Sequence, residues 1–238
     1  MPKQHWWIII TYILMQLSGF VGLPLLYMIG ITDSPIAIEG FVFWSLWSFS
    51  IALIIIFILS VKSQEYSFTR TGRKSVPASV LWIVIGSFLA LFAQGIAGAI
   101  EMYVFNVDPG SENTRQLQQI AEAFPIFILV FTIIGPILEE IVFRQVIFGA
   151  FYQRFNFWIA VLLSSLLFGI VHAEMEHLLI YTAVGAVFAY LYVKTKRLIV
   201  PIIAHMATNS LAALPIIFAD EFEKLQENLP QWIGFIPL

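Results

Sequence analysis

The sequence predicts an all-α fold, a polytopic bundle of about seven transmembrane helices, from its composition and its apolar runs. Hydrophobic residues make up 60% of the 238 residues and charged residues only 11%, and the mean hydropathy is +0.88. A soluble domain carries about 25% charged residues, so most of this chain's surface is expected to contact lipid. Helices are expected because lipid offers the backbone no outside hydrogen-bond partner.

Seven apolar runs follow one another along the chain, and each is interpreted as a membrane span. About 20 apolar residues cross the hydrocarbon core of a bilayer; the fifth and sixth runs are shorter. The first run is too long for a signal-peptide core and no small-residue cleavage site follows it, so a retained span is expected. The predicted spans are residues 6–29, 41–61, 79–105, 124–151, 157–172, 177–193 and 198–218.

The spans are predicted to form two parts followed by a tail. Residues 1–114 hold the first three helices and their loops, residues 115–218 hold the last four, and residues 219–238 are an amphipathic or interfacial tail. The polar stretch 106–123 is expected to contain an amphipathic helix that leads into the fourth span.

The basic residues divide unevenly between the two sides of the predicted bundle. Nine lie on one side and two, Arg115 and Lys224, on the other. The positive-inside rule therefore places the N-terminus in the cytoplasm and the C-terminus outside, and the compact chain fits a bacterial plasma membrane. The nine residues are Lys3, Lys62, Arg70, Arg73, Lys74, Arg154, Lys194, Lys196 and Arg197.

Composition also excludes several kinds of site. The chain has no cysteine, which removes disulfides, thiolate nucleophiles and cysteine-based metal sites. Its net charge of −3 and the lack of a basic stretch interleaved with aromatic residues give no indication of nucleic-acid binding. A reaction at this protein would need a hydroxyl, a carboxylate or an activated water as nucleophile.

Strongly polar residues interrupt three of the last four spans. A charged residue in a span costs about 2.5 kcal/mol or more and is a functional hypothesis by default. At a rise of ~1.5 Å per residue from the inner boundary, Glu139, His172 and Asn209 come out at roughly 20, 21 and 18 Å, and His205 at roughly 12 Å. These side chains are therefore expected to converge on one layer, with His205 one to two turns lower.

Local spacing predicts how the polar side chains divide. Glu140 and Arg144 are four residues apart and are expected to pair, whereas Glu139 projects about 100° away from Glu140 on the same helix. Pro136 is expected to kink the fourth span and open space for water or substrate. Gly169 and Gly185 either widen that space or permit close helix packing.

Each of these residues, taken alone, also has a structural explanation that requires no catalytic function. The Glu140–Arg144 pair can be purely structural, His172 can be interfacial, and Asn209 can link two helices. Glu174, Glu176 and His177 have the residue types of a metal site, but a solvated outer loop is the favoured interpretation. Glu101 is expected to be interfacial. Function is indicated by the convergence of several such residues on one layer.

Three short motifs resemble those of the CAAX-protease and bacteriocin-processing family of intramembrane proteases, also called the Abi family. They are Glu139-Glu140-x-x-x-Arg144, Phe168-x-x-x-His172 and His205-x-x-x-Asn209. Each is weak alone, but all three occur in order on separate apolar segments. The resemblance covers roughly residues 115–218, so the last four helices would form a catalytic core.

The resemblance implies an endopeptidase in which Glu139 activates a water and His172 helps to position it. His205 and Asn209 would stabilise the oxyanion, with Glu140, Arg144 and Phe168 in support. Glu139, His172 and His205 are also the residue types of a Zn²⁺ site. The sequence leaves a zinc enzyme and a metal-free glutamate protease equally open. The expected partners are the bilayer and a membrane-associated peptide or protein substrate.

Two other classes of function compete with a protease. A proton-coupled transporter also buries Glu and His, but it needs them along a path between the two faces, and no internal repeat typical of transporters is visible. A non-catalytic scaffold or immunity protein could share the same fold. It would keep its function without Glu139.

The charge distribution makes a prediction about topology. A reporter at residue 1 should be cytoplasmic and one at residue 238 external, because the basic loops stay inside. Protease accessibility of the two tags in intact cells measures this. Finding both tags on one side would mean an even number of spans.

Overall fold

In a computed structural model that describes residues 1–63, 72–108 and 112–218, the chain is helical throughout, and the described part contains no strand. The all-α prediction is confirmed. The helices are α1 (Lys3–Leu17), α2 (Gly19–Met28), α3 (Ile38–Ser63), α4 (Val76–Phe105), α5 (Glu112–Ala123), α6 (Pro125–Tyr152), α7 (Phe157–Val171), α8 (Leu178–Thr195) and α9 (Ile199–Ile217).

Each of the seven predicted spans coincides with a helix or a helix pair. Four are long and apolar enough to cross a membrane among the described residues: α3, α4, α6 and the segment Met175–Thr195 that contains α8. The pair α1 and α2, bent by 44°, makes a fifth if it is counted as one span. The apolar helices α7 and α9 are shorter. The chain is thus a polytopic helical membrane protein.

The first span differs from its prediction as one continuous run. It breaks at Ser18, whose hydroxyl donates to the carbonyl oxygen of Met15 at 2.7 Å and accepts a bond from the indole nitrogen of Trp44 at 2.9 Å. At Gly22, an added Cβ would lie only 2.0 Å from the Trp44 ring. A side-chain bond and a close approach to α3 therefore fix the bend, and hydropathy alone detects neither.

The predicted amphipathic helix before the fourth span is present as α5. Gln118 links it to α9 by donating to the carbonyl oxygen of Ala212 at 3.3 Å. The predicted tail, residues 219–238, lies outside the described residues.

Helix α6 is the centre of the bundle. In its most apolar window 56% of the residues are buried, against 17–33% in the other three long helices. Helices α1 and α3 pack on one side of it through a core that includes Ile8, Ile56 and Val142. Helices α7, α8 and α9 pack around its other side, and α4 covers α8 and α9.

The backbone of α6 widens on both sides of Pro136. Residues Val130–Ile134 and Glu140–Phe148 form π-helical turns around the α-helical segment Gly135–Glu139. A kink is predicted at Pro136, whereas the structure has π-helical turns before and after it within one helix of 28 residues. Such turns are frequent at functional sites because they redirect side chains.

Candidate active site

Glu140 is fully buried at the junction of α6 and α9. Its two carboxylate oxygens face different partners: one lies 3.2 Å from Nε of Arg144, and the other lies 3.1 Å from Nδ1 of His205. The side chains of Glu140 and Arg144 are both 0% exposed. The ion pair predicted from the four-residue spacing is present, and His205 extends it to a second helix.

Aromatic rings cover the Arg144 guanidinium. Its central carbon lies 4.8 Å from the ring centre of Phe168 and 5.7 Å from that of Phe188. These distances are in the range of cation–π attraction. Phe168 therefore supports the charged pair, and it also contacts the imidazoles of His172 and His205 at 4.5 and 6.1 Å between ring centres.

Glu139 occupies a different environment from its neighbour Glu140. Its side chain is 19% exposed and borders a cavity, and one carboxylate oxygen lies 3.7 Å from Nε2 of His205. The contact is longer than a hydrogen bond. The two adjacent glutamates diverge, as their spacing predicts, and the imidazole of His205 lies between their carboxylates.

The side chains of His205 and Glu139 meet although they come from different helices. Counting residues places His205 one to two turns below Glu139, and side chains of this length can bridge such an offset. The predicted depth of His205 therefore stays a prediction, because helix tilt and end position also enter it.

His172 lies at the end of α7, and one of its ring nitrogens is within hydrogen-bond distance of a backbone carbonyl. Its Nδ1 lies 2.8 Å from the carbonyl oxygen of Phe168, and its ring stacks on Tyr181 at 4.1 Å with 25° between the planes. The next residue, Ala173, has φ of 58° and turns the chain away. If Nδ1 donates to that carbonyl, Nε2 of the neutral ring is an acceptor. The ring borders the same cavity.

Asn209 joins α9 to the widened part of α6. Its amide nitrogen donates to the carbonyl oxygen of Phe131 at 2.9 Å. That carbonyl belongs to the first π-helical segment of α6. Asn209 therefore links two helices, and the amide, which borders the cavity, keeps a second N–H.

A cavity of about 810 Å³ brings these side chains together. Glu139, His172, His205 and Asn209 all border it, while Glu140 and Arg144 lie behind its wall. Its outer part is lined by apolar side chains of α2 and α3 and of the turn between them. Phe20 and Ile36 both line it and are 82% and 85% exposed, so the cavity reaches the surface there.

The small residues considered for the cavity serve packing instead. A Cβ at Gly169 would lie 2.5 Å from the side chain of Leu178, and one at Gly185 would lie 3.0 Å from Ser165. Both glycines therefore allow α7 and α8 to approach closely. The lining of the cavity comes from the bent α1–α2 pair and from α3, α6, α7, α8 and α9, but it includes neither glycine.

Among the polar residues of this cavity that sequence reasoning missed are Tyr12 and Gln16 on α1 and Tyr181 on α8. A signal exists for the first two, because they are polar residues four positions apart in a mostly apolar run. For Tyr181 no comparable signal is present.

Two sequence predictions outside the cavity are wrong. Glu101 is 3% exposed rather than interfacial, and His177 is 7% exposed rather than in a solvated loop. Nδ1 of His177 lies 3.0 Å from the Glu101 carboxylate, which also accepts the backbone N–H groups of Leu179 and Ile180 at 2.9 and 3.1 Å. The carboxylate thus caps the N-terminus of α8.

The three candidate zinc ligands do not form a ligand set. Among the described residues, no group of three His, Asp or Glu side chains is placed to hold a metal ion. His205 directs Nδ1 at Glu140 and Nε2 at Glu139, and His172 directs Nδ1 at a backbone carbonyl. A zinc site needs three such donors at about 2.0–2.2 Å from one point. The arrangement of Glu139 and His205 instead resembles a carboxylate–imidazole pair.

Comparison with known proteins gives the family. The chain is 46% identical over 219 residues to the putative membrane peptidase YdiL of Bacillus subtilis, covering 90% of this chain and 89% of that protein. It is 31% identical over 218 residues to the membrane-embedded CAAX protease MroQ of Staphylococcus aureus, covering 88% of each. The chain belongs to the CAAX protease family.

The family model gives the same assignment for the second half of the chain. The model of Rce1-like type II CAAX prenyl endopeptidases matches residues 121–211, which include all three motifs. No solved structure matches the chain significantly. At the level of the family, the protein is a multi-pass membrane protease.

The buried charges at Glu140 lead to a prediction about stability. Glu140→Gln should lower the melting temperature of the purified protein markedly, because it leaves Arg144 without its counter-charge; removal of one partner of a buried pair typically costs about 3–5 kcal/mol. Glu139→Gln is the matched control and should melt close to the wild type, since Glu139 borders the cavity. Equal melting temperatures for wild type and Glu140→Gln would contradict this account.

Proposed function

We propose that the protein is an intramembrane endopeptidase in which Glu139 activates a water molecule that hydrolyses a peptide bond. The observation that supports this proposal is the division between two adjacent glutamates. Glu139 faces the cavity, whereas Glu140 is neutralised behind its wall by Arg144 and His205. The carboxylate that can reach a substrate is therefore the one without a strong counter-charge.

The reaction needs a base for water, donors for the developing oxyanion and a proton for the leaving amine. Glu139 accepts a proton as the water oxygen attacks the carbonyl carbon. The carbon–nitrogen bond then breaks, the amine leaves with that proton, and Glu139 returns to its charged form. One water is consumed, and a carboxylic acid and an amine are formed; transfer of the acid proton to the amine then gives a carboxylate and an ammonium group.

The two imidazoles and the amide assist from fixed positions. Glu140 holds Nδ1 of His205, which leaves Nε2 directed at Glu139 and the reacting water. The free Nε2 of His172 is available to hold the same water. The second N–H of Asn209 is a donor for the expected oxyanion. The His205 ring can donate from Nε2 only as an imidazolium, because its Nδ1–H is directed at Glu140. Because the described donors do not form a zinc set, no step is assigned to a metal.

The proposed substrate is a membrane-associated peptide or protein precursor in a bacterial plasma membrane, with the N-terminus of the enzyme cytoplasmic and its C-terminus external. The cavity supports this choice because its catalytic end is polar and its exposed end is apolar. The name of the relative MroQ describes it as a CAAX protease, and the proposed activity is of that kind.

The first prediction of this proposal concerns Glu139. Glu139→Gln should lower cleavage about a hundred- to ten-thousand-fold, the usual contribution of a general base, without loss of folded protein. New N-termini are identified by mass spectrometry in bacterial membranes that contain the wild type or the variant. A site cut only by the wild type is then synthesised as a quenched fluorescent peptide for kinetics.

Glu39→Gln is the matched control, because Glu39 is an exposed carboxylate in the first turn of α3 that does not line the cavity. It should behave as the wild type. A scaffold or a transporter would give the same set of N-termini with wild type and Glu139→Gln, and that result would remove the protease proposal.

A second prediction concerns metal. Cleavage of the reference peptide should continue after prolonged treatment with a zinc chelator, because the carboxylate and imidazoles are engaged with one another. The measurement is turnover before and after treatment, together with metal analysis of the purified protein. Loss of activity that added Zn²⁺ restores would show that the donors rearrange around a metal.

A further inference from the structure

Helix α1 contributes two polar side chains to a cavity whose motif residues all come from α6, α7 and α9. Tyr12 and Gln16 lie one turn apart on α1 and border the cavity together with Glu139. The amide nitrogen of Gln16 donates to the phenol oxygen of Tyr12 at 3.2 Å. Both residues lie outside residues 121–211, the part of the chain that the family model matches.

Packing against α6 fixes the position of the Tyr12 ring. The ring meets Phe143 edge-on, with 6.1 Å between ring centres and 88° between the planes. Phe143 lies one turn after Glu139 on α6. Tyr12 is 5% exposed and belongs to the core that includes Leu138 and Val142. Its hydroxyl therefore has a fixed position next to the reacting end of the cavity.

The hydroxyl of Tyr12 has an unused donor. A phenol can both donate and accept one hydrogen bond, and Gln16 supplies the bond that it accepts. In the part of the chain that the structure describes, its own proton is donated to no other group. A buried donor needs an acceptor, and because the phenol borders the cavity, a group that enters the cavity can accept this proton.

We infer that the Tyr12 hydroxyl, oriented by Gln16, donates a hydrogen bond to a backbone carbonyl oxygen of the substrate next to the scissile bond. A peptide segment drawn into the cavity leaves its own helix or strand, so its carbonyl oxygens need new donors. Tyr12 supplies one at a fixed place. Helix α1 is thus part of the substrate site. This inference rests on the proposed function.

The test uses Tyr12→Phe, which removes the hydroxyl and keeps the ring on Phe143. With the quenched reference peptide, kcat/KM should fall about two- to tenfold, the usual effect of one lost hydrogen bond, with the change mainly in KM. Tyr27→Phe is the matched control, because Tyr27 is a tyrosine of α2 that does not border the cavity. It should leave both constants unchanged.

A double-mutant cycle tests the role of Gln16. Gln16→Leu should also raise KM, and the double variant Tyr12→Phe/Gln16→Leu should be no worse than Tyr12→Phe alone, because Gln16 acts through the phenol. Additive effects would overturn the orienting role. A fall confined to kcat in Tyr12→Phe would assign the hydroxyl to the reacting water and overturn the substrate contact.

The outcomes separate this inference from the proposed function. If Glu139→Gln is inactive while Tyr12→Phe has wild-type constants, the inference fails and the protease proposal stands. If the wild type produces no N-termini beyond those seen with Glu139→Gln, the proposed function fails and the inference falls with it.

Discussion

The buried carboxylate of Glu140 is the group on which the rest of the site depends. An ionised side chain in the interior of a membrane bundle is stable only with close counter-charges or donors. Arg144 and His205 supply them, and Phe168 covers the guanidinium. Because His205 comes from α9, this single requirement joins two helices and directs the second imidazole nitrogen at Glu139.

The wide turns of α6 explain how one helix serves two environments. In a regular helix, adjacent glutamates already diverge by about 100°, and here the second begins a π-helical segment that runs into the protein core. The first remains at the cavity wall. The other π-helical segment leaves the carbonyl oxygen of Phe131 available to Asn209. Regular helical spacing thus already separates the carboxylates, and the backbone irregularity provides the attachment of α9.

Much of the fold and part of the site could be predicted from local sequence. Hydropathy locates the helices because burial in lipid requires continuous apolar runs, and the Glu140–Arg144 pair follows from helical spacing. The contact of His205 with Glu139 could not be found, because it depends on tilt and on where α9 begins. Glu101 was misjudged because its partners lie 76–79 residues away. Tyr12 was not identified, although its spacing from Gln16 is visible in the sequence, because its position comes from packing against Phe143 on a distant helix.

The exposed apolar end of the cavity has a consequence for how the enzyme meets its substrate. Phe20 and Ile36 are both cavity lining and outer surface, so a group that enters there passes apolar side chains. If the substrate is membrane-associated, as proposed, enzyme and substrate share one bilayer and their encounter takes place in two dimensions. The rate would then depend on the number of substrate molecules per unit area of bilayer rather than per volume of cell. Diluting the membrane with inert lipid would slow such an enzyme even at constant total substrate.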